Sequence, residues 1–420
     1  MSIRKNAAAL YGVQIANYIL PFITLPYLSH RLGPAAFGGL GFAQTVAQIL
    51  LIFTDFGFDL TSTRRIAIAK NDKSVITLIF WTTIFAKFIF ASISSILMIG
   101  MAETVFRGGE EHTLLYLATL LIWGSVITPT WLYQGLQKMP FVAVCSIAAR
   151  IMMLPLIFLW VRSPADLSVA GLLQFSPPIL AGLMLAAVTV RLRLVGAPIR
   201  LTSAHILAEI RESSHIFLSS ALTSVYMYAN VLVLRTFGGS SVVGYYVAAE
   251  KITTPLRQFF MPPIQAYFPK ICSLFSEGKI DEAGAIIRKL IAVFTILAVI
   301  AFAAVSLFGS WFVSLFFGAA FLSTFGVLRI LVVVPMMIGV AAVLVQLCII
   351  ASGNQAVLKK IYAVGAIFHL CQAPLSVYYF GAPGAAISVL LTEAVMTACL
   401  AISVHRIFKK MRVATVQRGA

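Results

Sequence analysis

Charge is scarce in this sequence: Asp, Glu, Lys and Arg make up 11% of 420 residues, where a soluble domain carries about a quarter. With 60% hydrophobic residues and a mean hydropathy of +0.97, the chain belongs in a bilayer. Cysteine is sparse too. Cys145, Cys272, Cys348, Cys371 and Cys399 show no C-x-x-C spacing, so they read as small apolar fillers and not as a disulfide framework or a zinc cluster. The histidines lack metal-ligand spacing, no G-x-x-x-x-G-K-[ST] loop is present to cradle a nucleotide, and no Ser/His/Asp arrangement can be argued from residue order. No metal, cofactor or catalytic residue is therefore expected, and ATP does not drive this chain directly. The acids of the longest polar outer segment, Glu103, Glu110 and Glu111, read as a solvated loop and not as a catalytic pair.

What is abundant is apolar sequence. Runs of about 20 residues, the length that spans a bilayer, fall at 10–28, 39–60, 77–101, 113–134, 141–161, 169–190, 215–237, 242–267, 290–308, 326–350, 361–380 and 384–404. They predict an all-α membrane protein of about twelve transmembrane helices, with no room for a soluble catalytic domain. The formal charge of +17 is distributed by side. About 22 basic residues fall in the tails and even-numbered loops, against Arg31, Arg107, Arg162 and Arg235 opposite, which predicts cytoplasmic termini. That basicity is read as orientation and attraction to anionic lipid, with no nucleic acid as partner. The basic start, Met1 to Asn6, precedes a run containing Asn17, Pro21 and Pro26 without a small-residue cleavage site, so a retained first helix is expected.

A polar interruption from Arg191 to His215 divides the chain into an N-terminal lobe, 1–200, and a C-terminal lobe, 201–420, each with six spans. Leu201 to Arg211 has the mixture of apolar and charged residues of a helix lying on the cytoplasmic surface. Gly33, Gly38 and Ala43 recur as Gly239, Gly244 and Ala249, a weak internal repeat placed where an outer turn re-enters the membrane. An even number of helices per half gives parallel repeats, an arrangement that flanks a central cavity in transporters. Prolines within the spans, Pro155, Pro255 and Pro374 among them, predict kinks or hinges.

Five basic residues interrupt the apolar runs: Lys87, Arg150, Lys251, Arg257 and Arg329. Each costs about 2.5–3.5 kcal/mol at the centre of a span unless it faces protein or water, so they are candidates for lining a path. Glu250, Thr254, Arg257 and Met261 share one helical face, as do Gln44, Gln48 and Asp55, and both stripes are candidate cavity walls. Snorkelling to the interface is a fair alternative for Arg329, and a structural ion pair for Glu250. A buried carboxyl can alternate between neutral and charged forms, which makes Glu250, Glu393 and Asp55 candidates for a coupling role beside ordinary helix contacts.

The stretch Y-G-V-Q-I-A-N-Y-I-L-P-F-I-T-L-P-Y-L-S-H-R-L-G-P-A-A-F-G and the following F-T-D-F-G-F-D-L-T-S-T-R-R-I-A resemble the start of bacterial polysaccharide biosynthesis proteins, the Wzx-type O-antigen flippases. The likeness is close from Tyr11 to Ala67 and looser at Gly244 to Lys251 and Gly381 to Ala386. It implies membership of the multidrug/oligosaccharidyl-lipid/polysaccharide exporter superfamily, with two six-helix lobes around a central cavity in the bacterial inner membrane. The implied substrate is an undecaprenyl-diphosphate-linked oligosaccharide. Membrane lipids are implied partners, and a polysaccharide polymerase and a chain-length regulator are candidate partners. Lys and Arg in a low-dielectric cavity suit the diphosphate, with Arg150 and Lys251 the leading candidates, while Asn17, Gln44, Gln48 and Asn230 suit the sugar. A cation-coupled multidrug exporter is the rival, disfavoured because deep bases outnumber deep acids; a membrane polysaccharide polymerase lacks a sizeable outer loop. A lipid II flippase is closer still, but its family usually carries additional C-terminal helices.

Overall fold

A computed structural model describes residues 3–69 and 72–419, with side chains from Leu20 onward apart from scattered positions, 222–227 and 412–419 among them. All regular structure among these residues is helical. The chain divides into two compact units, Met1–Tyr228 and Ala229–Ala420.

The first unit contains α1 (Ile3–Asp55), α2 (Phe58–Ala69), α3 (Lys73–Val105), α4 (Glu110–Ile127), α5 (Thr130–Gly135), α6 (Met139–Trp160), α7 (Leu167–Phe175) and α8 (Pro177–Arg191). The α1 helix packs on α3, α4 and α6, while α8 closes over α4 and α6. A core of Ile66, Ile79, Trp131, Tyr133 and Leu185 ties α2, α3, α5 and α8 together. The Tyr133 hydroxyl, buried among them, donates to the Leu185 carbonyl at 2.8 Å, which removes the cost of burying it dry.

The α9 helix (Ser203–Leu256) leads into the second unit. There α10 (Met261–Ser276), α11 (Ile280–Phe317), α12 (Thr324–Leu331), α13 (Val334–Val343), a π-helical turn at Leu344–Ile350 and α14 (Ala356–Gly419) follow. Phe260, Ile264, Phe294, Leu347 and Ile361 form its core. Along α11, Val299, Leu307, Trp311 and Leu315 are each at least 64% exposed, a face that only lipid can cover at low cost.

Nine helical segments among the described residues are long and apolar enough to cross a membrane. Three of them are bent at glycines of positive φ: Gly33 (φ 72, ψ 175), Gly239 (φ 78, ψ 177) and Gly381 (φ 60, ψ −134). A side chain is strained in these conformations, so glycine lets one helix turn into the next without a loop. Gly33 and Gly239, the pair singled out by the sequence repeat, adopt the same backbone conformation.

The expected division after residue 200 precedes α9, whereas the first compact unit runs on to residue 228. The opening turns of α9 explain the difference. Glu209, 1% exposed, takes a hydrogen bond from Ser62 at 3.0 Å and pairs with Arg65 on α2; Ser213 meets Thr61 at 2.8 Å. Segment 201–211 therefore turns its carboxylate inward and leaves Leu207 67% exposed, unlike a surface helix with its polar face to water. Burial pushes the Glu209 carboxyl up from its ordinary range, against the pull of Arg65.

Candidate functional site

The sequence of the α1–α2 junction, Asp55-Phe56-Gly57-Phe58-Asp59, breaks one helix and starts another. Phe56 (φ 44) and Gly57 (φ 80) both enter the left-handed region, a turn that α-helix cannot continue through. Phe56 is held there by rings on three sides, stacked on Phe90 and Phe217 at 4.6 and 4.3 Å and packed on Phe58 at 5.7 Å. The turn brings Asp55 and Asp59 to one cation. Lys87 of α3 lies 2.9 Å from Asp55 and 2.8 Å from Asp59, and Ser125 of α4 donates to Asp55 at 3.0 Å. Lys87 is 1% exposed, so the two carboxylates supply the compensation that a buried ammonium requires.

This cluster sits on the wall of a cavity of about 670 Å³ contained within the first unit. One wall is the α1 stripe Gln44, Gln48, Leu51 and Asp55; Arg150 and Ser146 project from α6, Ser125 from α4 and Gln174 from α7. Among the described residues, the side chains of Arg150, Gln48 and Gln174 have no hydrogen-bonding or ionic partner, whereas Gln44 is engaged. The lining carries two carboxylates, one ammonium and one guanidinium, a formal charge of zero.

The second unit holds the other deep charges. Glu250, Lys251 and Arg257 of α9 and its continuation lie close enough to interact electrostatically, and Arg257 also acts on Glu393 of α14. None of the acids among them is within ion-pair distance of a base among the described residues, and the Arg257 Nε is buried without a hydrogen-bond partner. Asn230 is fully buried: it accepts from Ser388 at 3.2 Å and faces Tyr246 at 3.5 Å, which ties α9 to α14. Gln372 donates to the Ser388 carbonyl at 2.9 Å, and His369 meets Thr392 at 2.8 Å in the same α14 network.

The structure thus brings Gln44, Gln48, Asp55, Lys87 and Arg150 onto one cavity and groups Glu250, Lys251, Arg257 and Glu393 in the other unit. Asn230 is drawn into helix packing. Arg329 is exposed on α12, its guanidinium 5.5 Å from the centre of the Phe302 ring, apart from either group. The Asn17 side chain lies outside the described residues. Gln174 and Ser146 join the lining without having been singled out in the sequence, although each is a polar residue inside an apolar run.

The repeat relates the two groups. A shift of 206 positions, which superposes Gly33 on Gly239 in sequence, carries Gln44, Gln48, Leu51 and Asp55 onto Glu250, Thr254, Arg257 and Met261. The residues of the first unit's cavity wall and the charged stripe of the second occupy repeat-equivalent sequence positions.

The fold is similar to that of the lipid II flippase MurJ in an inward closed conformation, with a TM-score of 0.74 at 12% identity over 98% of this chain and 90% of that one. It is similar too to an inward-facing multidrug resistance MATE family transporter of the MOP superfamily, with a TM-score of 0.67 at 17% identity over 98% and 96%. Long apolar helices and this fold define a multi-pass helical membrane protein with a polar cavity in its first unit. Sequence narrows the class: the polysaccharide biosynthesis protein family matches residues 3–275. The chain is 31% identical to a protein of Escherichia coli K12 named "Putative O-antigen transporter" over 96% of this chain and 97% of that one. A Shigella dysenteriae protein of the same name is 31% identical over 93% and 97%. The chain belongs to the polysaccharide biosynthesis protein family, and it is a transporter of the bacterial inner membrane rather than an enzyme.

Proposed function

We propose that the protein is a flippase that moves an undecaprenyl-diphosphate-linked oligosaccharide, an O-antigen or related repeat unit, from the cytoplasmic to the periplasmic leaflet by alternating access. The observation that carries this is the polar cavity within the helices of the first unit, where Gln48, Gln174 and Arg150 offer unused hydrogen-bonding groups. A helical bundle with only a structural role would fill or pair such groups, because each costs free energy in an apolar surrounding. The names of the two full-length relatives support the cargo class. The alternating side of the basic loops supports twelve crossings with both termini in the cytoplasm, each of the three glycine-bent segments counting as two. Among the deep residues we assign Lys251, Arg257 and Arg150 to the head group, with Lys87, Gln44, Gln48 and Asn17 as further candidates; Asn230, sealed into helix packing, and Arg329, exposed beside Phe302, are not retained. Asp55, Glu250 and Glu393 are candidates for coupling. A polymerase and a chain-length regulator that act on the delivered units are the candidate partners.

The direct test is reconstitution. Lipid-linked repeat units extracted from cells that make the cognate polysaccharide are placed in proteoliposomes, and their exposure to a membrane-impermeant periodate reagent is followed with time. Protein-dependent exposure above that of empty liposomes is expected; equal rates would remove the flippase function. The multidrug exporter alternative draws on Asp55 and Asp59, two acids facing the cavity. Lys87 between them leaves little acidity for a cationic drug. Unchanged drug susceptibility in a strain lacking the gene, together with loss of surface polysaccharide, separates the two.

A further inference from the structure

We infer that the cavity of the first unit is a subsite for an uncharged sugar of the head group, and that the diphosphate is held outside it. The inference rests on the flippase function proposed above and reassigns Arg150, a leading candidate for the diphosphate on sequence grounds. Three observations carry it.

The first is charge. Asp55 and Asp59 already take the Lys87 ammonium, at 2.9 and 2.8 Å, and they share the cavity with Arg150. A diphosphate brings at least two negative charges within reach of two carboxylates and finds one uncommitted cation. In a cavity of low effective dielectric that balance opposes a polyanion and leaves a neutral ligand unaffected.

The second is chemistry. The unengaged groups, Arg150, Gln48 and Gln174, supply a planar fork of N–H donors and two amides that both donate and accept. A sugar ring presents hydroxyls that do the same, and its size suits a pocket of about 670 Å³.

The third is the repeat. At the equivalent stripe the second unit has Glu250, Thr254, Arg257 and Met261, with Lys251 alongside, where the first has Gln44, Gln48, Leu51 and Asp55. The cationic position, Arg257, corresponds to Leu51. The amides Gln44 and Gln48 correspond to Glu250 and Thr254, so the stripe of the first unit carries no base of its own, whereas that of the second carries Arg257.

The experiment uses the full-length purified protein and two probes. One is the neutral oligosaccharide released from the repeat unit by mild acid, free of phosphate; the other is farnesyl diphosphate, which has no sugar. Thermal stabilisation is titrated with each probe for wild type, Arg150→Met and Gln48→Ala/Gln174→Ala. Loss of hydrogen bonds from a buried site predicts apparent affinity for the oligosaccharide at least about tenfold weaker in both variants. Stabilisation by farnesyl diphosphate should persist, which also shows that the variants are folded. Arg150→Gln, which keeps N–H donors without the charge, should retain more oligosaccharide affinity than Arg150→Met. Variants that lose the farnesyl diphosphate response, an oligosaccharide response that the variants leave unchanged, or none from wild type would each overturn the assignment. The proteoliposome assay of the intact lipid-linked unit reports separately on the function: flipping with a failed oligosaccharide titration rejects the subsite alone.

Discussion

Replacing Lys87 by Met tests whether the charge cluster is a structural clamp. The ammonium is 1% exposed, and the side chains of Asp55 and Asp59 that hold it are 35% and 47% exposed towards the cavity. Removing one partner of a buried pair costs about 3–5 kcal/mol. Here water reaching the two carboxylates screens the charge left behind, so we expect about 2–3 kcal/mol. That corresponds to a fall on the order of 5 °C in apparent melting temperature. The triple variant Lys87→Met/Asp55→Asn/Asp59→Asn leaves no uncompensated charge and should regain most of the loss, the non-additivity that marks an interacting cluster. Scanning fluorimetry of the three proteins in one detergent measures the shifts, and immunoblots of membranes report their levels. A Lys87→Met protein that melts with the wild type, or a triple variant no more stable than the single one, refutes the reasoning. The same set separates stability from transport. If the cluster is only structural, flipping per molecule should return with the triple variant; a stable triple variant that is inactive would place Lys87, Asp55 or Asp59 in the transport mechanism.

Reporter fusions after Gly108 and after Gly196 should report periplasm and cytoplasm respectively, since the basic loops alternate by side; the same compartment for both would overturn the topology. Arg65→Ala leaves the Glu209 carboxylate, fully buried in its side chain, without its cation, and should destabilise the protein by about 2–3 kcal/mol, with recovery when Glu209→Gln is added. Thermal melts of the two single variants and the pair measure that coupling. Glu393→Gln removes the one acid of α14 that is 5% exposed and near Arg257. If Glu393 carries a coupling proton, the variant should bind lipid-linked sugar yet fail to turn over under an imposed proton gradient, and a wild-type rate would make it a packing residue.

Hydropathy made the crossing segments legible, because the length and purity of an apolar run are local properties. The partners of the deep charges were not local. The stripe of Gln44, Gln48 and Asp55 is visible in helical periodicity, yet periodicity assumes an unbroken helix, and the left-handed turn at Phe56 and Gly57 is what returns Asp59 to Lys87. A non-glycine residue at φ 44 is set by its aromatic neighbours, Phe90 and Phe217, which come from distant parts of the chain. Depth within a run also misjudged direction. Asn230 and Arg329 both sit in apolar sequence, but one is sealed into a helix contact and the other faces outward beside Phe302. Sequence depth says that a polar group must be accommodated; packing decides whether protein, cavity or lipid does so.

The repeat makes that distinction useful. Gly33 and Gly239 share a backbone conformation, so the helices that leave them start in the same way; α1 then runs unbroken to Asp55, whereas α9 ends at Leu256 and a 3-10 turn, Arg257–Phe260, follows. In the sequence repeat Leu51 and Arg257 occupy equivalent positions, as do Asp55 and Met261. The first unit therefore places an acid where the second has a thioether, and the second places a base where the first has an alkyl group and an acid, Glu250, where the first has Gln44. A duplicated scaffold that kept identical walls would handle both ends of a cargo alike. One whose walls differ in charge can treat a neutral sugar and an anionic diphosphate differently, and a lipid-linked oligosaccharide is a cargo with those two ends.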